Sequence, residues 1–62
     1  MNTINERLLT TIDAAQLLSL HPDTLRMWRS KGRGPAWLRI GNRYRYSHEA
    51  IDAFLQKARG VR

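Results

Sequence analysis

The hydrophobic period of this 62-residue chain changes along its length. Apolar residues recur at three- and four-residue spacing up to Trp28, alternate from Ala36 to Tyr46, and return to helical spacing from Ile51 to Ala58. A helix repeats every 3.6 residues and a strand every two, so a single segment cannot satisfy both patterns. The sequence therefore predicts a mainly α-helical fold with a small β-hairpin set between helices. A chain this short buries only about 60% of its unfolded surface, and its core supplies ~3–5 kcal/mol, so it forms one small domain. It has no cysteine and two histidines, His21 and His48, too few for a disulfide framework or a Cys-type zinc site. No metal or other cofactor is expected.

Residues 1–8 lack periodicity and are predicted to be a flexible N-terminal arm, with Leu8 and Leu9 able to tuck onto the body. The domain spans 9–59, and 60–62 form a C-terminal tail. Thr10 followed three residues later by Asp13 is a capping-box pattern, so the first helix starts there and runs to about Leu18. Ala14, Ala15, Leu17 and Leu18 give it an apolar stripe, and the paired alanines permit close helix approach. Pro22 fits the first position of a second helix, Asp23 complements the positive end of its dipole, and the helix runs to about Ser30. Leu25 and Trp28 point one way, towards the core. Asp23, Arg26, Met27 and Ser30 fall on the opposite side. Lys31-Gly32-Arg33-Gly34-Pro35 ends the helix with turn residues.

The Gly41-Asn42 pair marks the hairpin turn. A two-residue loop would pair Ile40 with Arg43 and mix apolar with basic side chains. A three-residue loop, Gly41-Asn42-Arg43, pairs Ile40 with Tyr44 and Leu38 with Tyr46, and is the expected form. It gives an inner face of Leu38, Ile40, Tyr44 and Tyr46, an outer face of Arg39 and Arg45, and Arg43 at the tip. Trp37 lies on the side away from Leu38, placed to cover the end of helix two or to meet another protein. Ser47 caps a third helix with Glu49 in its first turn, an Ile51, Phe54, Leu55 and Ala58 stripe, Lys57 and Arg59 near its negative end, and Gly60 as the residue beyond it.

Charge then narrows the function. Seven basic residues (Arg26, Arg29, Lys31, Arg33, Arg39, Arg43 and Arg45) lie between Arg26 and Arg45, while all five acids (Glu6, Asp13, Asp23, Glu49 and Asp52) lie outside that window. The +6 net charge is thus concentrated in one region, and a polyanion is its natural partner. An apolar fraction of 42% marks a folded domain rather than a disordered basic tail. No nucleophile and base set, paired carboxylates, phosphate-cradling loop or metal-ligand cluster is present, so an enzyme is not expected. Neither a membrane-spanning run, a signal segment nor a spare amphipathic face is present, and a cytoplasmic, nucleoid-associated location is the expectation.

Two helices joined by a tight turn, a basic hairpin and a packing helix describe a winged helix-turn-helix. The segment Leu9-Thr10-Thr11-Ile12-Asp13-Ala14-Ala15-Gln16-Leu17-Leu18, the core Thr24-Leu25-Arg26-Met27-Trp28, the Gly34-Pro35 turn, the Arg39-Ile40-Gly41-Asn42-Arg43-Tyr44-Arg45-Tyr46 wing and the helix from Ser47 to Leu55 resemble the MerR-like excisionase family. The resemblance covers roughly residues 8 to 56. His21 stands where that family usually has a capping serine, Ser19 where a glycine often sits, and Met27 where relatives of MerR often carry an aromatic. Larger MerR regulators add a coiled coil and an effector domain, so no small-molecule effector is expected here.

The resemblance implies that the second helix enters the major groove of double-stranded DNA. Arg26 is then the best candidate for a base contact, because a guanidinium can bond two acceptors of guanine. Asp23, Met27 and Ser30 share its face. Thr24, Arg29, Lys31 and Arg33 would meet phosphates, although Arg29 also lies beside the core face, where its stem can cover apolar surface. Asn42 at the turn and Arg39, Arg43 and Arg45 on the wing would follow the backbone or reach into the minor groove. The role implied is an excisionase, a recombination directionality factor that binds and bends attachment-site DNA in cooperating copies and directs an integrase towards excision. A small prophage-type transcriptional regulator is the alternative, and a nonspecific nucleic-acid binder, RNA included, is a further one.

Overall fold

Capping side chains set the starts of the helices. The computed structural model describes residues 8–59, which form β1 (Leu8–Leu9), α1 (Thr11–Leu18), α2 (Pro22–Ser30), β2 (Leu38–Ile40), β3 (Arg43–Ser47) and α3 (His48–Ala58). The Thr10 hydroxyl accepts the Asp13 N–H at 3.0 Å, and the Ser47 hydroxyl accepts the Ala50 N–H at 2.9 Å. Both bonds satisfy donors that a helix start leaves without intrahelical partners. At α2 the cap is His21, whose Nδ1 accepts the Asp23 N–H at 3.0 Å, with Pro22 next in the first turn. The imidazole therefore caps the helix at the position where the resemblance would place a serine.

Helices α1 and α2 end in the same hydrogen-bond motif. At the end of α1 the Leu20 N–H donates to the Ala15 carbonyl at 2.8 Å and Ser19 to Gln16 at 3.1 Å. At the end of α2 Arg33 donates to Trp28 at 2.8 Å and Gly32 to Arg29 at 3.2 Å. Each motif needs one left-handed residue, usually glycine. Ser19 fills that position with φ 59°, so the tight turn between α1 and α2 is made without a glycine.

The core consists of Ala14, Ala15, Leu25, Tyr46 and Ile51, with Leu9, Leu18 and Trp28 packed against it. Trp28 meets Phe54 with ring centroids 5.7 Å apart, which ties α2 to α3. Gly34 lies so close that a Cβ there would stand 2.7 Å from Trp28 Cε3, and its φ is +83°. Leu17, expected in the α1 stripe, is exposed, as is Leu55 on α3. The small size of the domain explains both, because α1 and α3 each bury a face only one or two side chains wide.

The sheet is antiparallel with strand order β1-β3-β2. Leu8 pairs with Ser47 and Leu9 with Tyr46, so Leu8 joins the ordered body rather than the arm. Residues 1–7, Gly60 and the rest of the tail lie outside the described residues. The hairpin differs from expectation. Ile40 pairs with Arg43, Arg39 with Tyr44 and Leu38 with Arg45, so the loop has two residues. Gly41 has φ +63° and Asn42 does not, as a type II′ turn requires, and that turn matches the twist of its strands. The expected apolar face of Leu38, Ile40, Tyr44 and Tyr46 does not form. The tyrosines share a side with Arg39, while Leu38 and Ile40 share the outer side with Arg43 and Arg45. The three-residue loop follows only where the whole hairpin has a core beneath it. In fact all of β2 is exposed, and burial is confined to β3.

Candidate nucleic-acid interface

Leu25 is fully buried, which turns the opposite side of α2 outward. Asp23, Arg26, Met27 and Ser30 are all exposed there, as the helical spacing predicted. Their polar groups are ordered locally. Arg26 Nη1 donates to Asp23 Oδ1 one turn earlier, and the Ser30 hydroxyl donates to the Met27 carbonyl at 2.9 Å. The Asp23 carboxylate thus holds the guanidinium of Arg26 along the helix, and Met27 supplies an apolar surface beside it. Thr24 is half-buried at the start of the helix, its N–H donating to the His21 carbonyl at 2.9 Å.

Arg29 points inward. Its Nη1 donates to Thr11 Oγ1 at 3.3 Å and to Tyr46 Oη at 3.1 Å, and its guanidinium carbon lies 3.8 Å from the centre of the Tyr44 ring. One side chain therefore joins α1, α2 and β3. The bond also satisfies the hydroxyl of Tyr46, which is 1% exposed. An arginine suits this position because its planar fork can donate and stack at once. Arg29 is thus a tie within the domain, where the sequence placed it among the phosphate contacts.

Beyond α2 the chain turns through Lys31 and Arg33, both exposed, into the hairpin. Trp37 packs edge-on against Tyr44 with centroids 5.2 Å apart, on the inner side of the hairpin. Arg39, opposite Tyr44, lies 5.9 Å from the same ring centre. Arg43 and Asn42 are exposed at the turn, while Arg45 is half-buried and its Nη1 donates to the Tyr44 carbonyl at 2.8 Å. The structure thus links α2 to the strand that carries the hairpin through Arg29, which meets Tyr44 and Tyr46. Sequence reasoning did not find the capping role of His21, the Tyr46 hydroxyl as a partner of Arg29, or the outward Leu38 and Ile40. Only the last had a local signal, since glycine as the first of two turn residues is the type II′ pattern.

Among the described residues no group of three or more His, Asp or Glu side chains could hold a metal ion, and no helix is long and apolar enough to cross a membrane. Residues 8–59 match the family model of a helix-turn-helix domain, a family that includes excisionase-like and AlpA-like small DNA-binding proteins. Three helices with a small antiparallel sheet fit the winged form of that fold. Comparison with curated proteins and with solved structures gives no match.

Proposed function

The chain belongs to the helix-turn-helix domain family, whose members bind DNA, and on that premise we propose that it is a MerR-like, sequence-specific DNA-binding protein acting as an excisionase. The observation that supports this reading is an exposed α2 face, with Arg26 held by Asp23, followed in the chain by an acid-free turn and hairpin bearing Lys31, Arg33, Arg39, Arg43 and Arg45. A helix fits the major groove, and the guanidinium of Arg26 offers a donor pair suited to guanine. Lys31, Arg33 and the hairpin arginines supply the sequence-independent attraction to phosphates.

One recognition helix and one wing cover only a few base pairs, so useful specificity needs adjacent copies on repeated sites. Copies lined along attachment-site DNA would bend it and present it to an integrase in the geometry of excision. The test begins with selection of bound sites from a random duplex pool, followed by titration of the selected and a scrambled duplex at two salt concentrations. A short motif recovered in phased copies, and excision by an integrase that depends on those copies, is the expected result. Affinity that tracks salt alone, with no motif, would leave a nonspecific nucleic-acid binder. A motif found at promoters and without effect on excision would make the protein a transcriptional regulator.

A further inference from the structure

Three side chains at the start of α2 hold one another in sequence. His21 Nδ1 accepts the Asp23 N–H at 3.0 Å, the same nitrogen lies 3.7 Å from Asp23 Oδ2, and Asp23 Oδ1 accepts from Arg26 Nη1. The side chains of His21 and Asp23 are 72% and 74% exposed, so protons from solvent reach the ring freely. Among the described residues Asp23 is the acid that faces it. Asp13 on α1 and Glu49 and Asp52 on α3 form no ion pair with the imidazole.

The cap requires an unprotonated Nδ1, because a ring nitrogen that accepts carries no proton and a protonated imidazole has two donors and no acceptor. Histidine is the side chain whose charge changes between pH 5 and 8. On protonation Nδ1 and the Asp23 N–H become two donors facing each other, and Asp23 Oδ2 is the acceptor beside them. A charge-assisted bond closes to about 2.8 Å, which draws the carboxylate roughly 1 Å towards the ring. The other oxygen of that carboxylate holds Arg26, so the movement pulls the anchor away from the guanidinium. A serine at this position caps the helix and has no such second state.

We propose that His21 is a positioning residue for Arg26: its neutral ring caps α2 and leaves Asp23 to orient the guanidinium, while its protonated ring competes for Asp23 and loosens Arg26. The inference rests on the DNA-binding reading above and adds to it that selectivity between sequences falls as pH falls. Total affinity moves the other way, since an imidazolium adds one positive charge that attracts any duplex. Loss of one fixed base contact and gain of one unspecific charge both narrow the difference between a chosen site and random DNA.

The test titrates the selected and the scrambled duplex at about pH 8 and about pH 5.5, on either side of the histidine range. The unchanged protein should lose about three- to tenfold in the ratio of the two affinities at the lower pH, within what one arginine–guanine contact discriminates. His21→Ser, which keeps a cap and cannot titrate, should hold the ratio constant. Asp23→Asn should show the lower ratio at both pH values. Every variant retains His48, and thermal melting at both pH values verifies that each is folded. A second readout needs no DNA: in an NMR titration the Asp23 amide should shift in step with the His21 ring, and in His21→Ser it should stay in place. An equal loss of selectivity in His21→Ser would overturn the proposal, as would a ratio in the unchanged protein that does not depend on pH. So would an Asp23 amide that ignores the titration of the ring. Failure of the unchanged protein to bind any duplex would overturn the DNA-binding reading, while the amide titration would still decide whether the cap is exchanged.

Discussion

α2 and the hairpin both carry arginines but use them in opposite ways. On α2, Arg26 is paired with Asp23 and Arg29 is tied to Thr11, Tyr46 and Tyr44, so both guanidinium groups are engaged by the protein. On the hairpin, Arg39 and Arg43 are exposed, Arg45 donates to a backbone carbonyl, and no acid lies within the hairpin itself. The helix thus offers fixed geometry with much of its charge balanced. The hairpin offers unbalanced charge on a strand pair anchored through only one strand. On the proposed function, shape would be set by α2 and attraction by the hairpin.

Stability should divide along the same line. Leu25→Ala, which empties a fully buried site on α2, should cost about 3 kcal/mol, comparable to the whole stability of so small a domain. Its thermal unfolding transition should fall to near or below room temperature, whereas Arg43→Ala on the hairpin should leave the midpoint unchanged. Arg29→Ala comes next, at about 2 kcal/mol, because it breaks two hydrogen bonds to a charged donor and a cation–π stack. Arg29→Lys should recover little, since an ammonium cannot bond and stack in the same plane. Denaturant titration of both variants measures this, and an Arg29→Ala domain as stable as the parent would mean that the helix and the hairpin are not coupled.

Binding should divide the other way. Arg26→Ala should narrow the gap between selected and scrambled duplexes by on the order of 1–2 kcal/mol, as expected for loss of a base contact. Equal loss on both duplexes would remove Arg26 from the reading role. The smallest effect is expected at the turn that orients α2: Ser19→Gly should stabilise the domain by about 0.5–1 kcal/mol, because glycine takes the left-handed conformation without steric cost. A shift in melting temperature with unchanged DNA selectivity would show that the serine strains the turn without setting the angle of α2.

The helices were legible because their signals are local. Thr10, Pro22 and Ser47 each act within one turn, and the observed helix bounds follow them. The hairpin was legible in place but not in register, because alternation alone does not tell which face has a core beneath it. β1 was not legible at all: Leu8 and Leu9 are too few to show a period, and their pairing with Tyr46 and Ser47 is long-range. Of the candidate site, the outer face of α2 followed from helical spacing around Leu25. Arg29 could not be assigned from sequence, since its partners lie 18 residues before it and 17 after it, and a basic residue beside a core face fits either role.

The Arg29 tie also has a mechanical meaning. Because one guanidinium fixes α2 to the strand that carries the hairpin, the two elements proposed to face DNA would behave as the jaws of a caliper with a set opening. A duplex whose grooves do not match that opening must itself twist or bend to be held. The elastic cost of doing so, of order 1–6 kcal/mol for a bend across a short site, varies with sequence. Stiffness inside the protein would therefore become selectivity on the DNA, at base pairs that no side chain touches.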